Sequence, residues 1–452
     1  MEEYKNELEQ LAVLGELSER LSKMNPVDAA NELAEWEDKD KLLLVFRLLG
    51  KDQAAAIFTY LDKDLHRYLV EGISNIEMNE LFRRLALDDA VDIIEELPAN
   101  MVNMILSSTS PEKRSAINRA LQYPEYSAGS LMTVEYISLF ESMTAGGAIE
   151  HIRKIGLDKE TIYSCYVTGP TRKLVGAVSL RRLILAENDE TVGDLMTKEV
   201  VYAHTLEDQE EVARKFQEYD LNAMPVVDNE HRIVGIITID DIVDVIEAEN
   251  TEDFEKMAAL HPSDDEYLKT SIVKLARNRI VWLLLLMISA TFTGGIIGYY
   301  QGLLDSAVVL AAFIPMLMDT GGNCGSQAST LIIRGMAVGE IELSSWYRVL
   351  WKEFRVGVLV AVALTSVNYL RMRFFNSLTY GEATPKDRVE LVVTLTLFLT
   401  VVLAKLIGCA LPLLAKKLKT DPALMAAPML TTIVDALSLA IYFSIAAALL
   451  SL

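Results

Sequence analysis

Two acidic residues stand in segments otherwise apolar enough to lie at bilayer depth. Asp319 sits in Met318-Asp319-Thr320-Gly321-Gly322-Asn323-Cys324-Gly325-Ser326-Gln327, and Asp435 in Pro428-Met429-Leu430-Thr431-Thr432-Ile433-Val434-Asp435. A carboxylate in hydrocarbon costs several kcal/mol, so it is retained mainly where it faces a wet path or a cation. Thr431 precedes Asp435 by one helical turn, so its oxygen can face the same space. Pro428 lacks an amide hydrogen and is expected to leave a carbonyl near residue 424 uncommitted. Carboxylate, hydroxyl and carbonyl oxygens together are the ligand set of a hard cation.

Pro315, Asp319 and Asn323 recur every four residues and therefore share one helix face. Gly321, Gly322 and Gly325 permit either close helix packing or a break at the pore. Blander roles exist for each group. Asp435 could pair with Lys405 or Arg355, and Asn323 and Gln327 could simply bond across helices. One chain supplies one Asp435, which is little for a doubly charged ion. A two-fold dimer would bring two together, and a hydrated Mg2+ held through its waters suits such a site.

Five apolar segments are long enough to cross a bilayer: roughly 280–300, 307–333, 347–370, 389–414 and 422–450. Lys274, Arg277, Arg279, Arg334, Lys416, Lys417 and Lys419 lie near the expected inner ends. They outnumber Arg371, Arg373, Lys386 and Arg388 outside, so the positive-inside rule keeps the N-terminus cytoplasmic and sends the C-terminus out. The first thirty residues lack the layout of a secretory signal, so the polar half is expected to remain in the cytoplasm.

The net charge of −22 is unevenly distributed. Residues 1–270 hold 27 of the 42 basic and 54 of the 64 acidic residues, a balance of −27. Such a surface does not suit nucleic acid and does suit divalent cations. Cys165, Cys324 and Cys409 form no disulfide framework. No His-Glu-x-x-His span exists, because His66, His151, His204, His231 and His261 all lie outside the apolar segments, so an intramembrane metalloprotease is excluded and no enzyme is expected. A chloride channel would need more spans and a less acidic path. Mn2+, Co2+ or Ni2+ as main cargo is disfavoured, since Cys324 is the one soft ligand near the acids.

Residues 1–128 read as short amphipathic helices with recurring openings, Lys51-Asp52-Gln53-Ala54 and Leu87-Asp88-Asp89-Ala90. This predicts an all-α superhelical array. A second repeat follows: Gly129-Ser130-Leu131-Met132-Thr133 returns as Gly193-Asp194-Leu195-Met196-Thr197, and Val175-Gly176-Ala177-Val178 as Val234-Gly235-Ile236-Ile237. Each copy reads strand, helix, strand, strand, helix. It resembles a tandem pair of α/β CBS domains, here 129–192 and 193–248. CBS pairs often hold adenine nucleotides with a Ser/Thr-x-x-Asp motif on the ribose. The second copy has Thr238-Ile239-Asp240-Asp241, whereas the first has Ser179-Leu180-Arg181-Arg182 and lacks the acid. One nucleotide site at Thr238 and Asp241, taking ATP as a modulator, is the expectation. A charged connecting helix over 249–276 then leads into a helical membrane domain, 277–452.

The whole layout resembles the MgtE family of magnesium transporters. Its marks are Tyr123-Pro124-Glu125-Tyr126-Ser127-Ala128-Gly129-Ser130-Leu131-Met132-Thr133, Gly321-Gly322-Asn323 running to Gln327, and Asp435 in the last span. Tyr126 stands where the family normally carries an acid. The resemblance implies a homodimeric, Mg2+-selective, channel-like importer of the bacterial cytoplasmic (inner) membrane, with Asp435 as pore ligand beside Thr431, Asn323 and Asp319. It also implies regulatory Mg2+ at cytosolic acids: Asp88 and Asp92, then Asp208, Glu210, Asp220, Asp241 and Asp244, then Glu249, Glu252 and Asp253. The expected gating follows from the charge split: at low Mg2+ the acidic domains repel, and at high Mg2+ they close and shut the pore. The alternatives are a Na+- or H+-coupled divalent carrier, or a broader Mn2+/Co2+ transporter.

Overall fold

A computed structural model describes residues 2–263, 267, 268, 270–374, 386–425 and 427–450. The chain divides into two compact units, residues 1–246 and 247–452.

The first unit begins with helices α1 (Glu2–Ser22), α2 (Pro26–Ala34), α3 (Lys39–Leu48), α4 (Lys51–Thr59), α5 (Lys63–Gly72), α6 (Asn75–Arg84), α7 (Leu87–Glu96), α8 (Ala99–Ser108) and α9 (Pro111–Ala120). Their starts are written in the sequence. Asp38 and Asp62 accept from the amides of Lys41 and Leu65, and Ser74 with Glu77 closes a capping box. Helices pack on the next but one, α1 on α3, α2 on α4, α4 on α6, α6 on α8, α5 on α7 and α7 on α9, which builds the expected superhelix. Leu33, Leu42, Phe58, Leu69, Met78 and Phe82 are fully buried along its core. Each contributes roughly 1.5–3 kcal/mol of apolar transfer energy.

The repeat follows. The first copy contains α10 (Ala128–Leu131), β1 (Ile137–Leu139), α11 (Ala145–Ile155), β2 (Ser164–Thr168), β3 (Leu174–Ser179) and α12 (Leu180–Leu185). The second contains α13 (Val192–Leu195), β4 (Ala203–His204), α14 (Gln209–Tyr219), β5 (Ala223–Val227), β6 (Ile233–Thr238) and α15 (Ile239–Met257). In each sheet the first strand runs parallel to the second, and the third antiparallel to it. The recurring Leu-Met-Thr segments explain the pairing of the copies, because each crosses to the other sheet. Thr133 bridges Ile236, and Thr197 bridges Ala177. A Cβ on Gly235 would stand 2.7 Å from Met132 Sδ, and one on Gly176 would stand 2.6 Å from Met196 Sδ. Glycine is therefore required where the crossing segment lies on the strand.

α15 begins in the second copy and continues to Met257, so the expected connecting helix of 249–276 is not a single helix. Its first part is the end of α15, Ala259 turns left-handed (φ 54°), and the next helix starts only at Ile272. Pro262 disfavours helical backbone just ahead of it, which accounts for the interruption.

The second unit is helical: α16 (Ile272–Tyr299), α17 (Gln301–Ser306), α18 (Ile314–Ala337), α19 (Trp346–Phe374), α20 (Lys386–Lys417) and α21 (Ala427–Leu450). Among the described residues, Ile272–Tyr299, Val308–Ala337, Asp387–Lys417 and Pro422–Leu450 are the four helical stretches long and apolar enough to cross a membrane. The fifth expected span is α19. Its 29 residues reach about 43 Å. Lys352, Glu353 and Arg355 near its start and Arg371 and Arg373 near its end dilute the apolar stretch. The expected count of five is thus met in length but not in composition. Leu317, Val393, Val401, Leu430, Val434 and Tyr442 form the core between helices α18, α20 and α21.

Candidate functional site

The membrane unit brings the acids of α18 and α21 to one level by glycine packing. A Cβ on Gly321 would lie 2.8 Å from Thr400 Cγ2 and 2.9 Å from Val434 Cγ1. One on Gly322 would lie 3.0 Å from Thr431 Cγ2, and one on Gly408 of α20 only 2.2 Å from the Gly325 carbonyl oxygen. Residue numbers fall along α18 as they rise along α21, so the helices cross antiparallel. The glycines serve close approach: α18 is unbroken from Ile314 to Ala337.

This crossing leaves Pro315, Asp319, Asn323 and Gln327 on the exposed face of α18, while Gly321, Gly322, Cys324 and Gly325 are buried behind it. Asp435 is half-buried and within electrostatic range of Asp319. Thr431 is also half-buried, and its hydroxyl donates to the Pro428 carbonyl at 3.0 Å. The hydroxyl hydrogen is therefore committed, and lone pairs remain to accept from a cation's water. Lys405 is 4% exposed, and its ammonium donates to Gln327 Oε1 at 3.4 Å. Among the described residues no ion pair joins Asp435 to Lys405 or to Arg355, so the structural alternative for Asp435 is not realised.

Pro428 acts differently from expectation. It occupies the second position of α21, where a missing amide costs no helical bond. The carbonyl of Met425, rather than a freed one at 424, accepts from the Ser329 hydroxyl at 3.4 Å. Pro422 opens a short 3-10 turn, capped by Asp421, which accepts from the Ala423 amide at 2.8 Å.

In the first unit Asp88 and Asp92 of α7 lie within electrostatic range of Asp241 at the start of α15. Burial, then Asp241 and Asp89, push Asp88 up to about 8. Burial and Asp241 push Asp92 up to about 7. Asp241 is raised by burial to about 6, although the Thr238 hydroxyl donates to it at 2.8 Å. Sequence reasoning missed three members of this group. Asp89 is raised by burial and by Asp240, and Glu160 is raised to about 7 by burial, Asp240 and Asp241. Adjacent acids at Asp88-Asp89 and Asp240-Asp241 were a usable signal; the loop position of Glu160 was not.

Other expected ligands stand apart. Asp208 caps the start of α14, accepting from the Glu210 amide at 2.9 Å, and Asp220 closes its end in left-handed geometry (φ 51°). The two are separated by about 18 Å of helix and cannot share one ion. Glu210 and Asp244 are exposed on α14 and α15.

In the second unit Glu249, Glu252 and Asp253 lie on the last turns of α15. Lys256 joins Glu252 and Asp421, each at 2.7 Å. Burial, then Asp421, push Asp253 up to about 6. Asp421 is a further residue missed from sequence, and its only trace there is an Asp-Pro step. Among the described residues no three His, Cys, Asp or Glu side chains converge closely enough to hold a metal unaided.

A cavity of about 770 Å3 opens between the repeat copies, lined by Tyr166, Ser179, Arg181 and Arg182 from the first. The nucleotide site expected at Thr238 and Asp241 is not part of it. Those side chains bond to each other and lie against the acids of α7.

Comparison with known proteins agrees with this architecture. A divalent cation transporter family model matches residues 314–445, the MgtE intracellular N domain matches 24–126, and the CBS domain matches 192–248. The magnesium transporter MgtE of Thermus thermophilus is 36% identical over 96% of this chain and 95% of its own. The soluble part of a magnesium transporter is similar with TM-score 0.50 and 27% identity, over 53% of this chain and 98% of that one. The cytosolic domain of the Mg2+ channel MgtE in complex with ATP is 34% identical, TM-score 0.49, over 50% of this chain and 93% of that one. With helical N domain, CBS pair and apolar helical region in that order, the chain belongs to the MgtE family of magnesium transporters.

Proposed function

We propose that the chain imports Mg2+ across the bacterial cytoplasmic membrane as a channel-like homodimer, closed by cytosolic Mg2+ on its acidic domains. The observation that carries this reading is the placement of Asp319 and Asp435 within mutual range on an exposed polar face, with no ion pair among the described residues. Two such faces about a two-fold axis would present four carboxylates, two Thr431 hydroxyls and two Asn323 amides to a hydrated ion. Oxygen acceptors facing a water shell suit Mg2+, which dehydrates reluctantly. No residue of α16 is buried, so this helix too needs lipid or a second copy against it. In this reading α19 is the fifth crossing, with the N-terminus cytoplasmic and the C-terminus outside.

Regulation follows from like charge held at short range. Asp88, Asp92 and Asp241 oppose docking of the N and CBS domains until a cation bridges them. Asp253 with Asp421 plays the corresponding part beside the membrane helices, already helped by Lys256. For Mg2+ to close the pore it must bind the docked state more tightly than the separated one. Because no three acids converge among the described residues, the ion in this reading keeps most of its water. A nucleotide such as ATP acts as a modulator at the CBS pair.

Bilayer recording of the purified protein, with Mg2+ the sole divalent cation, tests the transport mode. Unitary Mg2+ currents that disappear when Mg2+ is raised on the cytosolic side are expected. Silent bilayers together with liposome uptake that follows an imposed Na+ or H+ gradient would replace the channel by a coupled carrier.

A further inference from the structure

The two ends of α19 treat their cations differently. At the later end both arginines find partners within the protein. Arg371 donates to Asn368 Oδ1 at 2.9 Å, and Arg373 stands 3.6 Å from Asp387 and 3.7 Å from Glu390. At the first end Arg348, Lys352 and Arg355 are exposed, and among the described residues none of the three has an ion pair. Arg348 Nε donates to the neighbouring Tyr347 hydroxyl at 3.0 Å, a neutral acceptor that leaves the charge uncompensated.

Steps of four and then three residues put these cations on one helix face. Trp351 stands among them, 59% exposed, and Leu359, Val362 and Leu370 continue the same stripe as exposed apolar side chains. The opposite face is the packed one, where Glu353, Gly357, Ala361, Thr365, Asn368 and Met372 are buried. A Cβ on Gly357 would stand 3.5 Å from Lys405 Cβ, so this side lies against α20. Glu353, the one carboxylate of α19, belongs to that packed face and does not serve the cations. The stripe therefore turns away from the bundle, to the side on which Leu359 and Val362 would meet lipid.

Depth fits the same surface. The uncharged stretch 356–370 measures about 22 Å, less than a hydrocarbon core of about 30 Å. In a crossing helix Arg355 must then lay its stem along the acyl chains and raise its guanidinium to the phosphates. Lys352 and Arg348 follow one and two turns farther out, through the headgroup layer, and Trp351 falls at the interface that tryptophan favours. Arginine forks hold phosphate bidentately and keep their charge at any physiological pH. We infer that the first turns of α19 bind the phosphate headgroup of an anionic phospholipid in the cytoplasmic leaflet, which sets the depth of α19 against α20. This rests on the reading of α19 as the fifth crossing with its start inside, and adds to it the lipid that this end requires.

The test uses the full-length protein in mixed bilayers, in a Trp36→Phe, Trp282→Phe background that leaves Trp346 and Trp351 as reporters. Tryptophan quenching by brominated phosphatidylglycerol is compared with quenching by brominated phosphatidylcholine. One cation beside an anionic surface is worth about fivefold, so phosphatidylglycerol should associate at least about tenfold more strongly. Arg348→Gln, Lys352→Gln and Arg355→Gln together should bring the ratio within about twofold of unity; because all three side chains are exposed, folding should be unaffected. Lys416→Gln with Lys417→Gln, at another helix end on the same side, should keep the preference. Equal quenching by the two lipids before any cation is changed overturns the inference and leaves the fifth crossing standing. A preference that survives the triple substitution places the lipid elsewhere and also overturns it. If neither lipid quenches, Trp346 and Trp351 lie outside the bilayer, and the crossing and the inference fall together.

Discussion

Asp88, in the first turn of α7, stands within electrostatic range of Asp241, in the first turn of α15, and burial raises both carboxyls. One belongs to the helical N domain and the other to the second CBS copy. Two buried like charges resist this arrangement unless a proton or a cation neutralises one of them.

That relationship has a definite pH dependence. Burial, helped by neighbouring acids, raises Asp88 to about 8, Asp92 and Glu160 to about 7 and Asp241 to about 6. Acids raised in the docked state cost nothing below the ordinary carboxylate pKa of about 4; their cost grows above it and is complete once pH passes those raised values. Without Mg2+, residues 1–246 of the full-length protein should resist protease at pH 6 and become susceptible by pH 8.5. Millimolar Mg2+ should restore resistance at pH 8.5, and Asp88→Asn should flatten the profile. Susceptibility independent of both pH and Mg2+ would contradict the role given to these acids.

The glycine contacts set the level of Asp319 against Asp435. Alanine at Gly408 would thrust its methyl group to 2.2 Å from the Gly325 carbonyl oxygen, so α18 and α20 would have to part. Overpacking of this kind costs about 1–3 kcal/mol. Gly408→Ala should lower the melting temperature in detergent and depress uptake, whereas Gly302→Ala, with nothing within 4 Å, should alter neither. Equal melting temperatures for the two variants would show that the seam is not as tight as drawn.

Accessibility separates the two sides of α18. Cys324 is 6% exposed and points into the packed side, while its neighbour Asn323 is on the polar face. A water-soluble thiol reagent should leave Cys324 unmodified and label Asn323→Cys in a Cys324→Ala background, with Mg2+ slowing the reaction. Rapid labelling of native Cys324 would reverse the assignment of the faces.

Much of the architecture was legible because it is periodic. The Leu131-Met132-Thr133 repeat announced the CBS pair, and the structure supplies its reason in the crossing onto Gly235. Asp88, Asp92 and Asp241 were named through the family resemblance, yet Glu160 and Asp421 were not, since only tertiary contact gives them neighbours. Pro428 was misjudged because a proline that starts a helix and one that interrupts it look alike until the boundary is known. The connector was overextended for a related reason: its charged residues are helix-compatible, and the turn at Ala259 is not encoded by a glycine. The nucleotide contact expected at Thr238 and Asp241 does not line the open cavity of the CBS pair. Sequence shows the acid motif at Thr238–Asp241, but only the fold shows that the motif is covered and that the open cavity lies beside Arg181 and Arg182.

The central claim is that Mg2+ passes at Asp435. Its most direct measurement is Mg2+ uptake into liposomes carrying wild-type protein beside Asp435→Asn, each confirmed to fold and assemble alike. Loss of the carboxylate charge should reduce uptake at least about tenfold, the effect of removing roughly 1.4 kcal/mol or more of ion stabilisation. Undiminished uptake in the folded variant would make Asp435 structural and move the ion path away from the face it shares with Asp319.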